Sequence, residues 1–157
     1  MTLALVRVDD RYIHGQVVVG WGQALGAEVI VLVDDAVSRS EWEQELYRMG
    51  APPGMEVEFV SIADAAAKVA EAASSRRRVI VIMGDVDTLV RLCDVAPAIR
   101  KVNIGGIHQA PGRRERLPYV FLSGEEAERL RRLGERGIDV SAQDVPTARP
   151  VALSELL

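Results

Sequence analysis

The chain has 157 residues, 48% of them apolar, a size that suits one domain (1–157) with a continuous core. The formal net charge of −4 argues against general nucleic-acid binding, and the single cysteine excludes an internal disulfide. There is no signal-peptide pattern and no apolar run near the roughly 20 residues of a membrane span, so we expect a soluble, cytoplasmic protein.

Apolar runs alternate along the chain with segments of helical periodicity. The predicted strands are, in chain order, residues 3–8, 28–34, 56–61, 78–83, 101–104 and a last short one at 139–144. Such alternation is typical of βαβ units and predicts an α/β fold with an open, mainly parallel sheet. Because the second and fourth runs are apolar throughout, we expect helices on both faces of the sheet.

Serine residues indicate where three of the helices begin. A capping box at residues 38–41 predicts a helix over 42–49, Ser61 precedes an alanine-rich helix ending near 73, and Ser123 opens a helix ending near 137. Residues 111–118 are predicted to be a polar loop. We see neither repeats nor an interdomain linker.

Chemically active side chains follow the predicted strands. These segments are residues 9–14, 34–35, 84–85 and 105–108. Parallel strands place their carboxyl ends at one edge of a sheet, where open α/β folds bind ligands. The sequence therefore predicts one crevice lined by these four segments.

His14 is the candidate reactive residue of that crevice, because a neutral imidazole can act as base or nucleophile near pH 7. The helix predicted to begin at Gly15 and Gln16 would point unpaired amide N–H groups at the same space, which suits a phosphate. Arg11 could grip phosphate oxygens with its planar guanidinium. The alternative is that His14 caps the helix and that Arg11 pairs with Asp9 or Asp10.

Other candidates have two interpretations each. Asp10 could orient the imidazole or Arg11, or simply form a turn. Asp34 would repel a phosphate, so we expect it to hold loop amides or the arginine. His108 could contact a partner or the phosphate, or be an exposed loop residue. Two histidines without carboxylates at motif spacing do not predict a zinc site, and no cofactor is indicated.

The string VRVDDRYIHGQV at residues 6–17 resembles the signature of the enzyme IIB components of the mannose/sorbose class of the phosphotransferase system. Further similar segments follow in the family's order at 31–36, 49–54, 103–108, 137–140 and 144–146. The resemblance thus covers nearly the whole chain.

The resemblance implies a phosphohistidine carrier. Such a protein accepts a phosphoryl group from a IIA partner and passes it to a sugar entering through IIC and IID membrane proteins. It implies that His14 is modified on Nδ1, that Arg11 assists transfer, and that one antiparallel strand lies near the end of the sheet. Arg113, Arg114 and Arg116 could then engage a IIA surface, and the chain could form homo-oligomers.

Three other functions remain open from the sequence. The first is a non-catalytic module that binds phosphate or a sugar phosphate in the same crevice. The second is a hydrolase with His14 as general base, which would form no stable phosphoprotein. The third, suggested only by Asp34 and Asp35, is a receiver-like protein phosphorylated on aspartate.

Overall fold

A computed structural model describes residues 3–157, apart from the side chain of Gln16. Its strands are β1 Leu3–Val8, β2 Val29–Val33, β3 Glu56–Val60, β4 Val79–Met83, β5 Lys101–Ile104, β6 Arg114–Leu117, β7 Val120–Leu122, β8 Asp139–Ala142 and β9 Val151–Ala152. The six predicted strands are all present, with small shifts at their ends. Strands β2 and β4 are apolar throughout because helices cover both of their faces, so neither face carries polar side chains.

The main sheet has the strand order β3-β2-β4-β1-β5-β8-β9. All of its neighbours pair in parallel except β9, which is antiparallel to β8. The predicted mainly parallel sheet with a late antiparallel strand is therefore confirmed. After β1 the chain builds the sheet on one side, and after β4 it crosses to the other side of β1. The loop after β1 thus lies at the switch point where such folds bind ligands.

Helices cover both faces of this sheet, as predicted. The first, α1, comprises a π-helical stretch Gln16–Gly22 and one α-helical turn Gln23–Leu25; the others are α2 Glu41–Met49, α3 Ile62–Ser74, α4 Val86–Val95, α5 Gly124–Glu135 and α6 Leu153–Leu156. Buried residues of α3, α4 and α5 form a core on one face, and Val17, Val18 and Trp21 of α1 pack on the other face. Within the described residues, none of the helices is long and apolar enough to cross a bilayer.

All three predicted helices are present within a few residues of their predicted bounds, and two of the three serine caps are confirmed. Ser61 accepts a hydrogen bond from the amide of Asp64, and Ser123 forms a full capping box with Glu126. The capping box at residues 38–41 is wrong. Ser38 lies inside a 3-10 turn, Val37–Arg39, that precedes α2, and its hydroxyl donates to the carbonyl of Asp35.

The predicted loop at 111–118 contains a strand, and the C-terminal tail, for which the sequence motifs give no structure, packs on the domain. Strand β6 lies inside that loop segment and pairs with β7, and Ile107 bridges to Val120 beside it. The tail forms β9 and α6, and Leu156 is buried in the core. Strands β6 and β9 are too short for a hydrophobic pattern to predict them from the sequence. Their formation depends on tertiary contacts.

Candidate functional site

The loops after β1, β4 and β5 meet at one edge of the sheet. The amide of Asp9 donates to the carbonyl of Met83, the amide of Asp10 donates to Gly106, and the amide of Gly105 donates to Val8, at 2.7–2.8 Å. The loop after β2 joins them through side chains. The predicted convergence of the strand ends at one edge of the sheet is therefore confirmed.

Asp9 is the centre of the site. Its side chain is fully buried, and its two carboxylate oxygens contact three basic residues. Arg7 Nη2 lies 3.1 Å from Oδ2, Arg11 bonds both oxygens through Nε and Nη2 at 3.1 and 3.2 Å, and His14 Nε2 lies 3.3 Å from Oδ2. Burial by itself raises the pKa of Asp9, but its contacts with Arg11 and Arg7 outweigh this and lower that pKa below its usual value. Asp9 is therefore a carboxylate near neutral pH.

Arg7 forms a rigid support beneath Asp9. Its guanidinium is fully buried and donates to Asn103 Oδ1 and to the carbonyl oxygens of Gln143 and Asp144. Trp21 packs against it, with 5.3 Å between the guanidinium carbon and the ring centroid. Buried charges persist only when they are paired and hydrogen-bonded, so this network holds Asp9 in one position.

The His14 ring lies at the rim of the crevice, with 20% of its side chain exposed. Because Asp9 is a carboxylate, it can only accept, so Nε2 carries the proton and donates to Oδ2. This tautomer places the ring's lone pair on Nδ1. Burial, the largest influence, lowers the pKa of His14; Asp9 raises it, and Arg11 and Arg7 lower it further, for a net decrease.

The lowered pKa of His14 leads to a test by titration. We expect the acid–base midpoint of the His14 ring in the free protein, measured by ¹⁵N NMR, to lie below the ordinary value of about 6.5. The Arg11→Gln variant should move this midpoint upward, because it removes a positive charge that disfavours the imidazolium. A midpoint that stays in place or moves downward in this variant would contradict the assigned electrostatics.

The helix after His14 begins as predicted. The amides of Val17 and Val18 donate to the carbonyl of His14 at 3.1 and 3.0 Å. Gly15 is exposed, and a Cβ atom built there would meet no atom within 4 Å. Open space therefore surrounds Gly15, the residue that follows His14. The Gln16 side chain, predicted to contribute here, lies outside the described residues.

Asp10 and His108 contact each other and not the His14 ring. The amide of His108 donates to Asp10 Oδ2 at 2.7 Å, and its Nδ1 lies 2.6 Å from Oδ1. The carboxylate that contacts both Arg11 and His14 is that of Asp9. The suggestion that Asp10 orients the imidazole or the arginine is therefore wrong, because the Asp10 carboxylate holds His108 while that of Asp9 holds Arg11 and His14.

Asp34 holds the loop after β1 from the β2 side. Its Oδ1 accepts the amide of Val37 at 2.9 Å, and its Oδ2 accepts the Tyr12 hydroxyl at 2.5 Å. The expectation that Asp34 holds a loop amide is confirmed. The alternative, that Asp34 holds Arg11, is not observed, because its second oxygen accepts from Tyr12.

Two of the three arginines that could engage a partner form hydrogen bonds within this chain. Arg113 forms a two-pronged ion pair with Glu126, with both N···O distances 2.9 Å. Arg116 donates to the carbonyl oxygens of Leu122 and Leu156, whereas Arg114 is exposed on β6. Within residues 3–157, no group of three or more His, Cys, Asp or Glu side chains is arranged to hold a metal ion.

Sequence reasoning missed Arg7 and Tyr12 and gave Asp9 only a minor part. One signal was available: an arginine inside an otherwise apolar strand is costly to bury, so it requires a carboxylate nearby. Asp9, two residues later on the same side of the chain, was the natural candidate.

The chain is similar to several known proteins. A family model described as the PTS system sorbose subfamily IIB component matches residues 3–157. The N-acetylgalactosamine-specific phosphotransferase enzyme IIB component 1 of Escherichia coli is 30% identical over 145 residues, covering 92% of this chain and 91% of that protein. The mannose-specific EIIAB component of the same species is 27% identical over all of this chain, which spans 49% of it. The crystal structure of the IIBSor domain of the Klebsiella pneumoniae sorbose permease superposes with a TM-score of 0.89, with 29% identity and coverage of 99% and 96%.

Proposed function

The chain belongs to the sorbose subfamily of phosphotransferase-system IIB components, and on that premise we propose that His14 carries the phosphoryl group during transfer. A IIB component of this family takes a phosphoryl group from a IIA partner and passes it to a sugar, so the chain is a phosphotransferase component that works with IIA and with the IIC and IID membrane proteins. The family supports a cytoplasmic position at the permease. The proposal concerns the chemistry by which this chain does so.

The contact between His14 Nε2 and Asp9 carries the proposal. A phosphoryl group on Nε2 would collide with a carboxylate of like charge 3.3 Å away, so Nδ1 is the nitrogen assigned to accept it. The same contact keeps the proton on Nε2 and leaves the lone pair on Nδ1. A neutral ring with this tautomer is the form needed for attack, and the lowered pKa of His14 favours it.

The transfer is a displacement at phosphorus. The Nδ1 lone pair attacks the phosphorus of the donor's phosphohistidine, and the donor's N–P bond breaks with its electron pair returning to the donor ring. The His14 ring becomes positively charged, and Nε2–H remains bonded to the Asp9 carboxylate, which stabilises that charge. In the second half-reaction a sugar hydroxyl attacks the same phosphorus, the hydroxyl proton passes to solvent, and the electron pair of the N–P bond returns to Nδ1.

Arg11 is the cation assigned to the transferring oxygens. Asp9 holds its guanidinium through two of its five N–H donors, and 34% of the side chain is exposed beside the imidazole. A positive charge that is already in position lowers the barrier as the negatively charged phosphoryl group passes from one nitrogen to the other.

Replacing Arg11 by alanine should therefore slow onward transfer by roughly 10²–10³-fold while phosphoryl acceptance stays detectable. The measurement is single-turnover transfer from the ³²P-labelled chain to sugar in permease-containing vesicles. The Arg11→Lys variant is the matched control, because it keeps the charge and loses the fork; it should be intermediate. Wild-type rates in both half-reactions of the alanine variant would leave Arg11 with a structural role only.

The proposal as a whole is tested by incubating the chain with phosphoenolpyruvate, the general phosphotransferase proteins and candidate IIA proteins. Intact-mass spectrometry should detect one added phosphoryl group, and mapping should place it on His14. The bond should be acid-labile and stable to alkali, as expected for phosphohistidine. An unmodified chain with every donor, or label on an aspartate, would refute the proposal.

A further inference from the structure

Tyr12 has a backbone conformation that its side chain disfavours. Its φ of 57° makes it the single non-glycine residue with a positive φ among residues 3–157. An aromatic residue in this left-handed region is strained, since the Cβ atom crowds the backbone where glycine would not. Strain of this kind persists only where surrounding contacts enforce it, and it concentrates at functional sites.

The strained residue ends a tight turn inside the site loop. The amide of Tyr12 donates to the carbonyl of Asp9 at 3.0 Å, closing a tight turn between them. This turn brings His14 back to within 3.3 Å of the Asp9 side chain, although it is only five residues further along. The contact between the imidazole and the carboxylate therefore depends on the conformation of Tyr12.

Contacts from two other strand ends hold the Tyr12 side chain in place. The hydroxyl donates to Asp34, after β2, at 2.5 Å. The ring lies over Gly84, after β4, where a Cβ atom would sit 2.6 Å from the hydroxyl oxygen. The ring also meets Tyr47 edge to face, with 5.6 Å between centroids. Burial, and then Asp34, raises the pKa of Tyr12, so the hydroxyl remains a donor at neutral pH.

From these contacts we infer that Tyr12 is a positioning residue for phosphoryl transfer. Its hydroxyl bond to Asp34 and its seat over Gly84 lock the loop so that His14 and Arg11 face Asp9 together. Tyr12 does not touch the phosphoryl group in this inference, and it acts through the orientation and tautomer of His14. The inference rests on the proposed role of His14 and adds the device that maintains it.

Two substitutions loosen Tyr12 from different sides. Tyr12→Phe removes the hydroxyl and keeps the ring, whereas Gly84→Ala leaves the hydroxyl and fills the space under the ring. We expect each to lower kcat for phosphoryl acceptance roughly 10–100-fold, since small displacements of a reacting group have effects of this size. The KM for the phosphorylated IIA protein should stay near the wild-type value. The matched control, Tyr47→Phe, removes a neighbouring hydroxyl and should leave both constants unchanged.

A second measurement needs no donor protein. In the free wild-type protein, the ¹⁵N shifts of the His14 ring should be those of the Nε2–H tautomer, and in Tyr12→Phe they should move toward the average of the two tautomers. Wild-type kcat and wild-type ¹⁵N shifts in Tyr12→Phe, even with a lowered Tm, would overturn the inference. The Phe variant decides the matter if Gly84→Ala folds poorly. If the wild-type chain accepts no phosphoryl group, the proposed function fails, while the ¹⁵N comparison still decides the role of Tyr12.

Discussion

The His14→Ala variant is expected to accept no phosphoryl group from any IIA donor. Alanine offers no nitrogen for the N–P bond, and the described site holds no second imidazole against Asp9 and Arg11. The fold should be retained, with a change in the free energy of unfolding within about 1 kcal/mol, because the ring is partly exposed and both arginines still hold the carboxylate that it contacts. Intact-mass spectrometry after incubation with the donor, together with urea denaturation, measures both effects.

His108→Ala is the matched control for this experiment. The chain has two histidines, so the pair of variants covers every histidine that could be modified. His108 contacts Asp10 at the rim, and its loss should leave the added mass in place. Label retained in His14→Ala, or lost in His108→Ala alone, would move the phosphoryl site away from His14.

The Asp9→Ala variant is expected to have the largest effect on stability. It leaves the guanidinium of Arg7 buried without its carboxylate, and removing one partner of a buried ion pair typically costs about 3–5 kcal/mol. For a chain of this length that corresponds to a decrease in Tm of about 10 °C. Burial already lowers the pKa of Arg7, and Asp9 is the main influence that opposes this. Calorimetry and urea denaturation at neutral pH measure the loss.

The neighbouring carboxylate provides the control for Asp9. Asp10→Ala removes two hydrogen bonds with the exposed His108, each worth about 1 kcal/mol, so the loss should be smaller than in Asp9→Ala. Equal losses of stability in the two variants would contradict the central position of Asp9.

A double variant separates the structural part of Asp9 from its chemical part. Arg7→Met with Asp9→Ala removes both buried charges, and it should recover part of the stability lost in Asp9→Ala. Phosphoryl acceptance should be impaired in Asp9→Ala and in the double variant alike, because His14 Nε2–H has lost the carboxylate that accepts its hydrogen bond. Recovery of wild-type acceptance in this double variant would show that Asp9 has no part in the chemistry.

The main strands and the position of the site were predictable from the sequence. Apolar runs such as 29–33 and 79–83 mark strands that are buried on both faces, and parallel strands place the loops that follow them at one edge. That reasoning placed His14, Arg11, Asp34 and His108 around one crevice. It depended only on local pattern and strand direction, which the amino-acid order carries by itself.

The contacts within the crevice were less accessible to sequence reasoning. Asp9 and Asp10 are adjacent and chemically identical, yet their side chains have different partners, Arg11 and His14 for Asp9 and His108 for Asp10. Asp9 reaches the imidazole because Arg7 anchors it against Asn103, Gln143 and Asp144, which are distant in sequence. The left-handed conformation of Tyr12 similarly depends on Asp34 and Gly84.

The sequence by itself determined the parallel α/β sheet, its helical covering, and the edge at which a histidine and an arginine meet. Hydrophobic periodicity specifies these features locally, because each strand and helix buries its own apolar face. Only the tertiary structure decided which carboxylate contacts His14, which ring nitrogen holds the proton, and where the C-terminal tail packs. These outcomes depend on contacts between residues far apart in the chain, and the sequence of a short segment does not specify such contacts.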